Sequence, residues 1–296
     1  MYGATDEAAP LTVGGNPRRV VERLYKIEKF RLWGLLAFIP LMFSGAFVTN
    51  MAVVFPPKED PSSFWDKIWN GAPSDFDETQ TYIYQMFHFS HPCSFLDFNP
   101  AKTIAAIMVM LHILPMEAFV ILHYFRIVSQ TDPKYDTLKK ATKISTPLQF
   151  IFYHIFYMVF VNSPEGDFDT PDGDKAFIHH YIPYALWQIA TLLTAIQQCW
   201  FIVLRDSIPF EWATPALIWK YLWFMTLMVL AYQVMVFSFI FKVPILNTEE
   251  GFGRFVALFL VYSELAYAVA IPAFFSYYEE EDGEAKIIFI DEYKEH

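Results

Sequence analysis

Five ionisable side chains fall inside long apolar stretches of the sequence: His112, Glu117, His123, His154 and Glu264. If these stretches cross a membrane, each group lies in hydrocarbon, where charge is costly. Each is therefore a functional candidate by default. Proton transfer, cofactor ligation and hydrogen bonding between helices are the kinds of chemistry that such groups supply.

Two of the histidines have the residue type and depth needed to ligate a haem. His112 and His154 lie near the middle of two successive apolar stretches, so neighbouring helices could present them to a single haem b. Hydrogen bonding between helices is the alternative role. A two-haem electron carrier needs four such histidines and is not indicated, because no histidine occurs between His180 and His296.

The carboxyl groups of Glu117 and Glu264 also allow two interpretations. They could form a proton relay with the histidines, or they could hold helices together by hydrogen bonds. Four glutamines in the apolar stretches fit the second interpretation: Gln188, Gln197, Gln198 and Gln233.

Sequence motifs for catalysis are missing from the chain. It has no Walker loop, no Gly-rich dinucleotide turn, no HExxH and no GxSxG. His88, His91 and Cys93 lie close together but lack a second ligand cluster at zinc spacing. We therefore expect a protein that is not an enzyme, with no catalytic residue and no metal ligand. Bound lipids are expected, and haem b is the open alternative.

The composition indicates what positions these groups. Of 296 residues, 55% are apolar, 19% aromatic and 18% charged, and the mean hydropathy is +0.28. Soluble domains have about 45–50% apolar and about 25% charged residues, so the chain is expected to be an integral membrane protein. The net charge of −11 argues against nucleic acid as a partner.

Six stretches have the length and hydropathy of a spanning helix, which needs about 20 mostly apolar residues. The predicted fold class is therefore all-α, a polytopic membrane protein with a bundle of six transmembrane helices. The stretches cover 30–54, 101–128, 145–161, 181–204, 214–241 and 255–278.

The distribution of basic residues predicts the orientation. With six spans, both termini lie on one side, and that side holds 15 of the 21 Lys and Arg residues. The positive-inside rule places this side in the cytosol or in the matrix or stroma of an organelle. The mitochondrial inner membrane and an endomembrane both fit this distribution.

The chain divides into a cytosolic-side segment 1–29, a membrane domain 30–278 with an outer loop 55–100, and an acidic tail 279–296. The tail contains a short apolar run, 286–290, of β type.

The segment before the first span predicts an amphipathic helix over 17–31, because Asn16 and Pro17 form a typical helix start. Packing of that helix on the protein's own loops is one alternative. The other is contact with anionic lipid through a basic surface of Arg18, Arg19, Arg23 and Lys26.

The order of several features resembles the six-span DRAM/Frag/Sfk family. The first apolar stretch contains Pro40, the second ends in Tyr124-Phe-Arg-Ile-Val128, and the third ends in Val159-Phe-Val-Asn162. The fourth begins near His180, which this family follows with an acidic residue where this chain has Tyr181. The family's Ser-Asp-x-Gly signature is absent.

The resemblance implies a non-catalytic protein that acts on membrane and lipid organisation. It also implies a polar set of His180, Gln198 and Glu264, to which Glu117 is added from its position in the second stretch. Membrane lipids and other membrane protein subunits are the expected partners. An accessory structural subunit of a large organellar complex, of respiratory or ATP-synthase type, is one alternative function. A single-haem or proton-conducting protein is the other.

Overall fold

The computed structural model describes residues 12–13, 16–17, 19–54, 77–96, 101–162, 164, 168–205, 213–278 and 284–291, and the structural statements below concern these residues. A π-helical segment, Leu265–Ala270, joins the last two helices. Short 3-10 helices cover Glu78–Gln80, Pro92–Phe95 and Pro133–Tyr135. The α-helices are α1 (Ile27–Val54), α2 (Tyr82–Phe87), α3 (Ala101–Val128), α4 (Asp136–Ile155), α5 (Met158–Val161), α6 (Pro171–Leu204), α7 (Pro215–Ile240), α8 (Gly251–Glu264) and α9 (Ile271–Tyr278).

Five helical stretches are long and apolar enough to cross a membrane. The structure therefore fits the predicted all-α membrane bundle and a membrane-embedded chain. The five stretches are Ala101–Val128, Pro133–Val161, Pro171–Leu204, Pro215–Ile240 and Gly251–Tyr277.

Proline caps set where two of the long helices begin. Thr170 precedes Pro171 and accepts a hydrogen bond from the amide of Gly173, while Thr214 caps α7 in the same way. A capping threonine followed by proline favours a helix start. Helix α6 therefore begins ten residues before the predicted 181, and its first turn contains Asp172 and Asp174.

The long helices pack side by side in a ring. Helix α1 contacts α3, α3 contacts α4, and α4 contacts α6. The ring continues from α6 through α7 and α8, and α9 returns to α1. Stacked aromatic rings fill the centre, where the ring centroids of Phe38 and Phe156 lie 4.9 and 4.8 Å from that of Trp187 and 6.2 Å from each other.

The outer surface of the ring is apolar. Large hydrophobic side chains remain exposed along each long helix, which is expected of a surface that faces lipid. Examples are Phe43, Ile107, Ile144, Trp223, Leu227 and Phe255.

The predicted N-terminal amphipathic helix is wrong. Asn16–Pro17 forms a two-residue strand, β2, paired with β1 (Thr12–Val13), and Arg19–Lys26 forms strand β3. Strand β3 pairs antiparallel with β4 (Glu284–Asp291), so that Arg19 is opposite Asp291 and Lys26 is opposite Glu284. A strand partner at the other end of the chain outweighs the local helix signal, because strand formation depends on pairing more than on intrinsic preference.

The aromatic outer loop predicted over 55–100 folds in part onto the bundle. In α2, Tyr82, Ile83, Met86 and Phe87 are buried. Residues 55–76 and 97–100 lie outside the described part of the chain.

Candidate functional site

His112 lies at the centre of the bundle with both ring nitrogens bonded. Its Nδ1 is 2.8 Å from the carbonyl oxygen of Gly34 on α1, and the indole N–H of Trp187 donates to its Nε2 over 2.9 Å. Because an indole nitrogen only donates, Nε2 is the acceptor and Nδ1 carries the proton. Neither nitrogen is left for a haem iron, and His112 takes the predicted alternative role of joining helices.

His154, the other predicted haem ligand, has different neighbours. Its Nδ1 is 3.1 Å from Oε1 of Glu117, and its side chain is more than half exposed. Its ring contacts Phe150 and Tyr157. The structure therefore does not bring His112 and His154 together as a ligand pair.

Glu264 is the centre of a buried polar network in the middle of the last span. It is the final residue of α8, directly before the π-helical segment. The hydroxyl of Tyr184 donates to Oε2, and the amide of Gln188 donates to Oε1. Both donors lie on α6, so the carboxyl group joins two helices. A π-helical turn inside an α-helix often marks a functional site.

The network continues to a third helix. Gln233 on α7 donates to the side-chain oxygen of Gln188. The hydroxyl of Tyr181 donates in turn to Oε1 of Gln233 over 2.6 Å. The hydrogen-bonded chain thus begins at Glu264 and passes through Gln188 on α6 and Gln233 on α7. It ends at Tyr181, next to His180 on α6.

A second buried cluster joins the ends of four helices at one level. Glu28, in the first turn of α1, is fully buried. It accepts hydrogen bonds from Arg126 Nη1 at 3.1 Å, Gln198 Nε2 at 3.2 Å and Ser276 Oγ at 3.1 Å. These donors lie near the carboxyl ends of α3, α6 and α9. We call these four residues the Glu28 cluster.

Arg31, one turn after Glu28, is buried beside this cluster. Its Nε and Nη1 atoms have no hydrogen-bond partner. Its guanidinium carbon lies 5.4 Å from the ring centroid of Phe119. Sequence reasoning missed the cluster because it assigned Glu28 to the segment 1–29 and counted Arg31 and Arg126 as cations at the membrane surface. The available signal was an acidic residue one turn before an arginine at the start of a predicted span, but this signal does not identify the helix ends that meet there.

The opposite end of the bundle carries an exposed ionic cluster. Lys242, which follows α7, lies 2.9 Å from carboxylate oxygens of both Asp169 and Asp174. The hydroxyl of Tyr82 also donates to Asp174, over 2.8 Å. Partial burial by itself lowers the pKa of Lys242, but its hydrogen bonds to the two carboxylates raise that pKa above its ordinary value.

The four residues of the predicted polar set lie in four separate places. Nδ1 of His180 is 2.8 Å from the carbonyl oxygen of Asn162, whereas Gln198 belongs to the Glu28 cluster. These two residues are 18 positions apart on α6, or roughly 27 Å along its axis. Glu117 pairs with His154, and Glu264 has its own network. Of the predicted basic surface, Arg19, Arg23 and Lys26 lie in β3, and Arg18 lies outside the described residues.

The histidine–cysteine segment forms a small buried turn. His91 caps the 3-10 helix Pro92–Phe95, and its Nδ1 accepts the amide hydrogen of Cys93 over 3.1 Å. Burial lowers the pKa of His91 to about 3. Within the part of the chain that the structure describes, no group of three or more His, Cys, Asp or Glu residues could hold a metal ion.

Comparison of this chain with protein-family models, with curated proteins and with solved structures found no match. The resemblance to the DRAM/Frag/Sfk family therefore stays a prediction.

Proposed function

We propose that this chain is a six-span integral membrane protein that organises lipids or partner proteins and has no catalytic activity. The observation that carries the proposal is that polar side chains within the spans bond to side chains on other helices. Gln197 on α6 bonds to Ser145 on α4, and Glu117 on α3 to His154 on α4. Such bonds hold transmembrane helices together, and the surface left to the outside is apolar.

Helix α1 supplies the sixth span in this proposal. Its 28 residues reach about 42 Å, which exceeds a hydrocarbon thickness of about 30 Å. Strand β3 enters α1, and β4 follows α9, and these two strands pair. This pairing supports an even number of membrane crossings between the two strands, and α1 with the five other stretches gives six.

The Glu28 cluster supports the same topology. In a six-span bundle, the start of α1 and the ends of α3, α6 and α9 lie on one side, and the cluster joins those four helix ends. The excess of basic residues in the loops on that side supports an orientation with this side, and both termini, in the cytosol, matrix or stroma. The resemblance to the DRAM/Frag/Sfk family supports a function in membrane and lipid organisation.

Purification of the full chain from its native membrane in mild detergent, followed by native mass spectrometry, tests this function. We expect either retained phospholipid or a stoichiometric complex with other membrane subunits. The complex would identify the chain as an accessory structural subunit. A chain that purifies alone and free of lipid would overturn the proposal.

A second candidate function, proton conduction, is favoured by one observation. Glu264 lies in the middle of its span, beside a π-helical segment, and it heads a chain of four hydrogen-bonding side chains. Carboxyl groups in such chains act as proton relays in membrane transporters.

Proton flux into liposomes that contain the purified protein separates the two functions. A protein that only organises lipids or partners gives the flux of empty liposomes, both as wild type and as the Glu264→Gln variant. A wild-type flux that Glu264→Gln abolishes would favour conduction. Ser263→Ala is the matched control, because Ser263 bonds only within its own helix, to the carbonyl oxygen of Leu260.

A further inference from the structure

The guanidinium of Arg31 is a buried cation without an ion-pair partner among the described residues. The residue is 3% exposed, and two of its three nitrogens have no hydrogen bond. Phe119 covers the group at 5.4 Å. A buried charge is costly unless it is paired and hydrogen-bonded. An anion bound beside Arg31 would offset this cost.

The carboxylate one turn before Arg31, that of Glu28, is already bonded to other groups. Oε1 of Glu28 accepts from Arg126, and Oε2 accepts from Gln198 and Ser276. Glu28 therefore serves as the acceptor that joins four helix ends, and Arg31 lies beside it without sharing in these hydrogen bonds.

A cavity lies directly next to Arg31. Its wall is mostly apolar, and its enclosed volume is about 10 Å³. The enclosed part therefore has room for about one oxygen atom. Besides Arg31, the wall consists of Ala195, Gln198, Cys199, Ile202, Ile218, Tyr221 and Phe275.

The depth of the cavity matches the level of phospholipid phosphates. Helix α6 has 34 residues and is about 51 Å long, so it exceeds a hydrocarbon layer of about 30 Å, and its apolar stretch, 181–204, runs to its carboxyl end. Gln198 and Ile202 lie within the last two turns of this helix. The cavity is therefore near the boundary between acyl chains and headgroups, on the basic side of the bundle, where anionic lipids concentrate.

We infer that this cavity binds an anionic phospholipid of the inner leaflet. One phosphate oxygen enters the enclosed space beside Arg31, and the apolar wall contacts the carbon atoms next to the phosphate. A fixed guanidinium suits phosphate because it presents several N–H donors in one plane. The inference rests on the proposed lipid-organising function and names the class of lipid and its site.

Cys199 provides a reporter within the cavity wall. Cys199 is buried, so N-ethylmaleimide reaches it only when the cavity opens, and bound lipid should make such opening rarer. In a Cys93→Ser background, we would measure its alkylation in vesicles of phosphatidylcholine alone, and in vesicles that also contain phosphatidylglycerol. We expect the anionic lipid to slow alkylation roughly tenfold, the size of effect that one charge-assisted hydrogen bond gives. Arg31→Gln should abolish this protection. Lys140→Gln, which removes a positive charge from an exposed position at the start of α4, should retain it.

Several outcomes would overturn the inference. Equal alkylation rates in the two kinds of vesicle would exclude a selective site, and protection that survives in Arg31→Gln would move the site away from this side chain. Inorganic phosphate that protects Cys199 equally well in phosphatidylcholine vesicles would show that the ligand is a free anion. If Arg31→Gln fails to fold, the lipid comparison in the Cys93→Ser protein still decides.

This test can fail while the proposed function holds. Total phospholipid retained on purification reports the general function, whereas only the difference between the two kinds of vesicle at Cys199 reports the Arg31 site.

Discussion

At the scale of single residues, the polar side chains that join different elements divide by depth. Glu28 joins helix ends on one side, Glu264 and His112 join helices near the middle, and Lys242 joins segments on the other side. In each case the partners come from different elements. A side chain exchanged at one of these positions therefore tests an interhelical contact.

The lowered pKa of His91 predicts that the folded protein loses stability in acid. Burial lowers this pKa to about 3, whereas an unfolded histidine has a pKa of about 6.5. Below pH 6.5 the unfolded chain binds a proton that the folded chain does not bind, so stability is complete above that pH and is lost as the pH falls toward 3. We expect His91→Asn to remove up to about 1.4 kcal/mol of this loss per pH unit.

Thermal unfolding in detergent between pH 4 and 7 measures that effect. Asparagine can still cap the 3-10 helix, so the variant should fold. His179→Asn is the control because His179 is exposed, and its profile should follow the wild type. An unchanged slope in His91→Asn would contradict the prediction.

Trp187→Phe tests the hydrogen bond at the centre of the bundle. The change leaves Nε2 of His112 buried without its donor, and an unsatisfied buried acceptor costs about 1–3 kcal/mol. We expect a lower melting temperature than for Trp200→Phe, a change of the same size at a half-buried position on the same helix. Equal losses in the two variants would show that the hydrogen bond contributes nothing beyond packing.

At the scale of elements, the contact between α1 and α3 depends on a single glycine. A Cβ atom on Gly34 would lie 2.8 Å from Cγ of Met116 and 3.1 Å from the carbonyl oxygen of His112. The carbonyl oxygen of Gly34 also accepts the hydrogen bond from Nδ1 of His112. The two helices approach this closely because glycine has no side chain.

Gly34→Ala is therefore expected to destabilise the bundle by about 1–3 kcal/mol, the usual cost of overpacking a core. Part of the loss should be recovered in the double variant Gly34→Ala with Met116→Ala, since the shorter side chain makes room for the new methyl group. Melting temperatures of the two single variants and the double variant would measure this coupling. Additive losses would mean that Met116 is not the obstacle.

At the scale of the whole molecule, the ring of helices is closed by the contact between α1 and α9. The strand before α1, β3, pairs with the strand after α9, β4. The segments before α1 and after α9 are thus held together, which fits the proposed six-span topology.

Labelling of introduced cysteines tests that topology. In a Cys93→Ser, Cys199→Ser background, Arg19→Cys and Lys286→Cys should react with a membrane-impermeant thiol reagent from one side of oriented vesicles. Glu249→Cys, in the segment between α7 and α8, should react from the other side. Reaction of the first two variants from opposite sides would require an odd number of crossings and contradict the topology.

The sequence alone was sufficient to predict that this protein is embedded in a membrane and that its fold is an all-α bundle. Composition and run lengths suffice for this, because each spanning helix satisfies its own backbone hydrogen bonds and needs only about 20 apolar residues. The glutamines at 188, 197, 198 and 233 were correctly placed as interhelical contacts, since a polar amide in hydrocarbon needs a partner.

Only the tertiary structure decided which groups meet. Helical periodicity gives the face of one helix and says nothing about the neighbour that faces it, so His112 and His154 looked like a pair while His112 bonds to Gly34 and Trp187. The N-terminal segment forms a strand because it pairs with β4. That partner lies more than 250 positions away in the chain, so the local pattern could not reveal it. The Glu28 cluster and the cavity beside Arg31 likewise need four helix ends in one place. Long-range packing creates that proximity, and no local pattern in the sequence encodes it.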